Sequence, residues 1–286
     1  MFCKDVIDGV LAEDAMTRGN LLAVGQMTSG DDVDKNFDAC ARLCSAAKMR
    51  GASALLLPEN FAFLGRGDGD SIAVMEPLAG PWFSRFRALA ADHGLWVCYG
   101  GFPERASETH AHNAHVVVDD RGDIRAVYRK IHLFDVNLGQ AHYRESAAIV
   151  PGTDLVVTDS VVGKLGLSVC YDLRFPALYQ ALSARGAELL LVPAAFTLLT
   201  GKEHWETLLR ARAIENECYV AAAAQVGRHN DKRDTWGHAM IVDPWGTVIA
   251  QCRDGEGIAV AEIDPAWLHT VRQRIPVHLH RRPDLY

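Results

Sequence analysis

Two pairs of segments in this chain repeat. GASALLLPENF (residues 51–61) has a counterpart in GAELLLVPAAF (residues 186–196), and NAHVVVDDRGDI (residues 113–124) has one in GHAMIVDPWGTV (residues 237–248). In each copy the first segment is preceded by a helix-like pattern that itself follows a strand-like run, residues 21–27 or 164–170. Two copies in 286 residues imply an internal pseudo-twofold, because a solenoid would need more and shorter units. Strand-like and helix-like runs alternate throughout, which favours an α/β architecture. Two sheets packed face to face with helices outside are one natural result.

The individual elements are readable around that repeat. LLAVGQM (residues 21–27) is the first strand. Phe37, Cys40, Ala41, Cys44 and Ala47 then share one helical face, ended by Gly51. SALLLPENF gives a buried strand, PWFSRFRALAADHG a helix and LWVCYGGF a strand, and AHVVVDDRGDIRAVYRK forms two strands about a turn at residues 120–122. GRGDGD (residues 65–70) is a flexible loop whose glycine spacing does not fit a dinucleotide fingerprint. The last segment reads as one helix stopped by Pro276 and then an extended basic tail. No Pro/Ser linker divides the chain, so residues 19–286 are expected to form one domain, with residues 1–18 as an N-terminal extension.

Composition narrows the partners. With 29 basic against 36 acidic side chains the formal charge is −7, so a phosphate backbone is repelled on average and nucleic acid is not an expected partner. No window approaches the roughly eighteen apolar residues of a membrane span, so no membrane partner is expected either. Seven scattered cysteines without a CxxC pair read as a reduced compartment, and the expected location is cytoplasmic.

The chemistry centres on GLSVCYDLRFP (residues 166–176). A strand precedes Cys170 and a helix beginning near Pro176 follows it, so the thiol falls in the turn between them, where a helix dipole favours a thiolate. The bland alternative is one more buried small hydrophobe; the polar run Tyr171, Asp172, Arg174 argues instead for an exposed mouth. LLLPENF carries Glu59 where its repeat partner has Ala194, so the shared backbone does not demand that acid. Between Leu57 and Phe61, burial would raise its pKa toward that of a useful base, although an acid after a strand-end proline is often a solvated charge or a cap. Lys130, in VYRKIHLFD, ends another strand. Pointing inward it would favour the thiolate and then an oxyanion, with the Tyr171 amide as a second donor; most strand-end lysines simply sit in water. Arg174 would meet a carboxylate bidentately, or pair with Asp172 and brace the turn.

Taken together, Glu59 in LPENF, Lys130 in YRKIHLFD and Cys170 in GLSVCYDLRFP resemble the Glu, Lys, Cys triad of the nitrilase superfamily of carbon-nitrogen hydrolases, from about residue 21 to the C-terminus. Glu145 in RESAAIVPG matches that family's second glutamate, which orients the lysine or assists the base. The resemblance implies a four-layer α-β-β-α sandwich with internal pseudo-symmetry and a homodimer or larger homo-oligomer, with KEHWETLLRARAIENECYV as a candidate contact whose simpler role is packing and along-helix pairing of Arg210, Arg212 and Glu215. TGKEHW, LLRARAIE, QVGRHNDKR, VDPWGTV and HRRPDLY are similar to the Nit branch, whose best-matching members are amidases of deaminated glutathione. That implies hydrolysis of a small-molecule amide to 2-oxoglutarate and cysteinylglycine through a thioester on Cys170, with no metal or organic cofactor.

Other readings keep the same residues or replace them. An ω-amide, a nitrile or an N-carbamoyl amine would suit the same triad, and a catalytically idle scaffold would use only the fold. His110, His112 and His115 in HAHNAH and His278 and His280 in HLH invite a metal, but no carboxylate or cysteine stands at a ligand spacing, which leaves them as solvated loop histidines.

Overall fold

In each half of the chain a strand leads through a helix to a second strand that pairs parallel beside it. The computed structural model describes residues 20–286 apart from residues 68, 139, 140, 283 and 286; the extension expected over residues 1–18 lies outside the described residues. The first half runs β1 (Leu21–Met27), α1 (Val33–Met49), β2 (Ala54–Leu57), α2 (Pro81–His93), β3 (Trp96–Arg105), β4 (Ala111–Val118) and β5 (Ile124–Arg129). A small hairpin, β6 (Asp135–Leu138) and β7 (Ala141–Arg144), follows. The second half runs β8 (Val157–Ser160), β9 (Gly163–Leu167), α3 (Pro176–Ala184), β10 (Leu189–Leu191), α4 (Leu198–Asn216), β11 (Tyr219–Ala222), β12 (Ala224–Arg228), β13 (Asp234–Trp236), β14 (Met240–Val242) and β15 (Val248–Gln251). Then come β16 (Gly257–Glu262), α5 (Pro265–Arg274) and the short α6 (Val277–His280).

The repeat is visible in the pairing. β1-β2-β3-β4-β5 lie side by side in one sheet, and β9-β10-β11-β14-β15 lie in the same order in the other. In both, the first three strands are parallel and the last two join antiparallel. The turns match to the atom. Asp119 Oδ1 accepts from Arg121 N and Asp123 N at 3.0 and 2.9 Å, and Asp243 Oδ1 from Trp245 N and Thr247 N at 2.9 and 2.8 Å. Each turn needs a glycine in the left-handed region, Gly122 at φ 84 and Gly246 at φ 88.

Alternation along the strands separates the layers. Leu22, Val24, Ala54, Leu56, Cys98 and Val117 join one cluster with Leu165, Leu167 and Leu189 of the second sheet, packing sheet on sheet. Ala23, Leu55, Leu57, Val97, Val116 and Val118 point the other way, onto Cys40, Cys44, Phe83 and Phe86 of α1 and α2. Leu178, Tyr179, Leu182, Trp205 and Leu209 of α3 and α4 cover the second sheet. The result is the expected α-β-β-α sandwich. Among the described residues no helix is long and apolar enough to cross a membrane.

Two local expectations fail. Beyond Pro276 the chain makes the helical turn α6 instead of an extended tail, because the buried Glu217 carboxylate accepts from Val277 N and His278 Nδ1. The flexible loop expected near residue 65 is tied down where Asp70 Oδ2 accepts from Arg66 N and Gly67 N at 2.8 and 2.9 Å, and a 3-10 turn follows over Asp70–Val74.

Candidate active site

Strand ends from both halves deliver the candidate groups to one cavity. Glu59 follows β2, Lys130 follows β5, Glu145 follows β7, and Cys170 opens a 3-10 turn over Cys170–Arg174 after β9. Glu59, Lys130 and Cys170 are buried, at 4%, 2% and 7% exposure. All four line a cavity of about 100 Å³, with Tyr171, Arg174 and Arg233 around them.

Lys130 is the hub. Its Nζ donates to Glu59 Oε1 at 2.9 Å and to Glu145 Oε1 and Oε2 at 3.1 and 2.8 Å. Asn113 Nδ2 donates to the same Oε1 atoms, at 2.9 Å to Glu59 and 3.0 Å to Glu145. Glu145 Oε2 also accepts from Phe134 N at 2.7 Å. The outer oxygen of Glu59 accepts from Ala195 N at 3.0 Å, and its carboxyl group hydrogen-bonds the Cys170 thiol.

These contacts correct two expectations. Burial does push the Glu59 carboxyl up, yet the Lys130 charge together with the hydrogen bonds from Cys170, Lys130 and Asn113 outweighs it and holds the group below its ordinary value. The thiol is not lowered: burial pushes Cys170 well up, the Glu59 charge adds to this, and Lys130 offsets only part. Lys130 stays an ammonium, since the two carboxylates overcome the burial that opposes its charge. The resting pair is therefore a thiol bonded to a carboxylate.

The turn at Cys170 is strained and braced. Cys170 has φ 47, the left-handed region that non-glycine residues seldom adopt. Its N–H donates to Pro193 O at 2.9 Å, while the Tyr171 N–H has no internal acceptor among the described residues. Asp172 does not open onto an exposed mouth as expected; it is fully buried behind the turn. There it accepts from Tyr128 Oη, Val169 N, His132 N and His132 Nδ1 at 2.7, 2.8, 3.1 and 2.8 Å. From α4, Arg212 donates Nε and Nη2 to Leu173 O at 3.0 and 2.7 Å and Nη1 to Glu215.

Arg174 is not paired with Asp172, whose oxygens are committed elsewhere. Its guanidinium lies 5.3 Å over Phe196 and 5.9 Å over Tyr171, with His204 Nδ1 at 3.3 Å. Arg233, which the sequence reading missed, enters the same cavity over the Tyr143 ring at 5.3 Å. Asn113 and Ala195 were also missed, and Arg212, which pairs along the helix with Glu215 as expected, holds Leu173 O besides. For Asn113 a signal existed: its repeat partner is Gly237, the same kind of asymmetry that singled out Glu59.

Of the histidines of HAHNAH, His110 sits in a half-exposed loop as expected, whereas His112 and His115 are strand residues. They lie on β4, where alternation turns His115 into the sheet interface; it is fully buried with Nδ1 donating to Ser168 O at 3.0 Å, and His112 Nδ1 bonds Val150 O.

Comparison with known proteins agrees with this architecture. Residues 21–273 match the family model described as carbon-nitrogen hydrolase. The chain is 47% identical over 272 residues to the deaminated glutathione amidase of Bos taurus, covering 93% of this chain and 83% of that one. The crystal structure of the Caenorhabditis elegans NitFhit protein superposes with a TM-score of 0.88 at 44% identity, covering 93% of this chain and 66% of that one. A mutant amidase from Nesterenkonia sp. AN1 superposes at 0.76 with 28% identity, covering 93% and 98%, and carries the acetamide moiety of fluoroacetamide covalently added at its active-site cysteine. This chain belongs to the carbon-nitrogen hydrolase family. It is a hydrolase acting on carbon-nitrogen bonds.

Proposed function

We propose that the enzyme hydrolyses the amide of deaminated glutathione, releasing 2-oxoglutarate and cysteinylglycine, with Cys170 as nucleophile, Glu59 as base and Lys130 and Glu145 completing the site. The observation that carries this reading is the single Glu59 carboxylate that meets both the Cys170 thiol and the Lys130 ammonium. As Cys170 Sγ attacks the amide carbonyl carbon, its proton passes to Glu59. The oxyanion is held by the Lys130 ammonium and the Tyr171 N–H. Collapse breaks the C–N bond, and Glu59 returns the proton to the departing amine. A water deprotonated by Glu59 then attacks the thioester carbon, releases 2-oxoglutarate and restores the thiol. Glu145 holds Lys130 in place throughout.

The names of the relatives support the substrate, and so do the cations of the cavity. Arg174 and Arg233 both line it, each beside an aromatic ring, and guanidinium groups suit a substrate with a carboxylate at each end. A cytoplasmic homodimer completes the proposal, on the free buried thiols of the described cysteines and the exposed Leu199 and Ile214 of α4.

The test is to mix the purified protein with deaminated glutathione, follow 2-oxoglutarate release, and look by intact mass for an acyl adduct on Cys170, with Cys170→Ala as control. Release with a trapped adduct is expected. Turnover of 2-oxoglutaramate without turnover of deaminated glutathione would replace this substrate with a small ω-amide, and absence of both activities would remove the amidase reading of the site.

A further inference from the structure

Asn113 occupies a position that packing does not explain. It lies on β4 with its side chain on the face turned toward the second sheet, 7% exposed, and both of its amide hydrogens go to carboxylates. Its Oδ1 is buried and has no hydrogen-bond partner among the described residues. Turning the amide over would set that oxygen against two carboxylate oxygens, so the orientation is fixed by charge. An unpaired buried carbonyl costs stability, and a native structure keeps one for a reason.

The surroundings are shaped to this orientation. Gly101, at φ 80, faces Oδ1: a Cβ there would fall 2.6 Å from Asn113 Oδ1 and 3.0 Å from Glu59 Cγ. The Asn113 carbonyl also accepts from Lys130 N at 2.9 Å, so one residue holds the lysine backbone and both acids. In the other copy, at Gly237, no side chain exists at all.

Two carboxylates share one ammonium here, out of water. One positive charge does not balance two negative ones, and like-charged acids in such a site tend to share a proton. A proton shared in this way would disable Glu59 as a base for part of the time. We propose that Asn113 is a positioning residue that keeps Glu59 ionised beside Glu145 and Lys130, and so holds Glu59 ready to take the thiol proton. This rests on the reading of Glu59 as the base. The titratable groups that face Glu59 are Lys130 after β5, Glu145 after β7 and Cys170 after β9, and Tyr143, Tyr171, Arg174 and Arg233 face the same cavity. The Glu59 carboxyl is held below its ordinary value, and the Asn113 hydrogen bond contributes to this, which is consistent with the role.

The test uses the pH dependence of Cys170 alkylation by iodoacetamide, read by mass on the Cys170 peptide, beside kcat/KM for the amide substrate. In Asn113→Ser the acid limb of both profiles is expected to move up by about 1 to 2 pH units, with rates at pH 8 nearly recovered. In Asn113→Asp, which keeps the shape but brings a third acid, activity at pH 7 is expected to fall below that of Asn113→Ser. A uniform loss at every pH, or an aspartate variant more active than the serine one, would assign Asn113 to packing and overturn the proposal. Should the serine variant not fold, Asn113→Thr and Gly101→Ala, which crowds the same amide, give the same readout. Glu59→Gln separates the two claims: if its alkylation profile keeps the wild-type acid limb, Glu59 is not the base, whatever Asn113 does.

Discussion

The two copies share a strand order and divide the groups of the candidate site between them. By strand register, Leu22 opposite Ala54 corresponds to Leu165 opposite Leu189, which places Met27 where the other copy has Cys170. Likewise Ala194 stands where the first copy has Glu59, and Gly237 where it has Asn113. The first copy therefore supplies acid and amide, and the second supplies the thiol. Glu59 thus has an inert counterpart after an equivalent strand, whereas Cys170 at φ 47 corresponds to Met27 in a regular strand and Asn113 in β4 to Gly237 at φ 76, so at those two places the copies part in backbone as well as in side chain. The Ala195 N–H, donated across the pseudo-twofold to Glu59, joins the halves at the site.

The largest effects come from exchanging residues between equivalent places. Glu59→Ala installs what the second copy already tolerates, and kcat/KM is expected to drop roughly 10³- to 10⁴-fold while circular dichroism still reports a folded chain. The reverse exchange, Ala194→Glu, buries a carboxylate at a position with no exposure. That change is expected to destabilise by about 3 to 5 kcal/mol, read as a fall in the urea midpoint. Similar behaviour of the two variants would mean that the copies are not divided as the residues indicate.

A narrower contrast concerns His115, whose repeat partner is the buried Ala239. Burial lowers the imidazole from 6.5 to about 4, against the opposing effects of the Ser168 carbonyl and Asp172, and Nε2 has no partner among the described residues. The sign follows from linkage: the unfolded chain takes up this proton near pH 6.5, the folded one only near pH 4. The stability is thus complete above pH 6.5 and declines as pH falls toward 4, by roughly 3 kcal/mol in all. His115→Leu is expected to flatten that part of the decline in urea titrations at pH 7 and pH 4.5, whatever its effect at neutrality. An unchanged slope would place the acid sensitivity elsewhere.

Much of this was legible in the residues, and the exceptions share a cause. Aliphatic runs bounded by glycine and proline gave the strands of both copies, and the Glu59/Ala194 mismatch singled out one acid without any coordinates. Ala195 was not readable because it acts through its backbone N–H, to which its side chain is indifferent. Arg212 looked like a helix-surface charge, since its target Leu173 O lies 39 residues away in sequence. The direction of the Glu59 shift failed for a related reason: burial was inferable from Leu57 and Phe61, whereas the ammonium that outweighs it arrives from a segment 71 residues distant. Local pattern reports what a residue would do alone, and this site is built from what distant residues do to each other.

The smallest expected difference tests the symmetry itself. Asp119 and Asp243 close equivalent turns through two backbone N–H groups each, so alanine at either is expected to cost about 1 to 3 kcal/mol. They differ in one contact that matters to stability: Asp243 Oδ2 also accepts from Trp267 Nε1 of α5 at 3.1 Å, whereas Asp119 Oδ2 faces the exposed Arg125 at 3.9 Å. Asp243→Ala should therefore be the more damaging by about 0.5 to 1.5 kcal/mol, while Arg125 adds little across solvent. In a Trp267→Phe background that excess should vanish, leaving the two turns equal within the error of denaturant midpoints at constant slope. If Asp243→Ala stays the worse variant without the indole N–H, the turns are not energetically equivalent, and the likeness of the copies ends at their geometry.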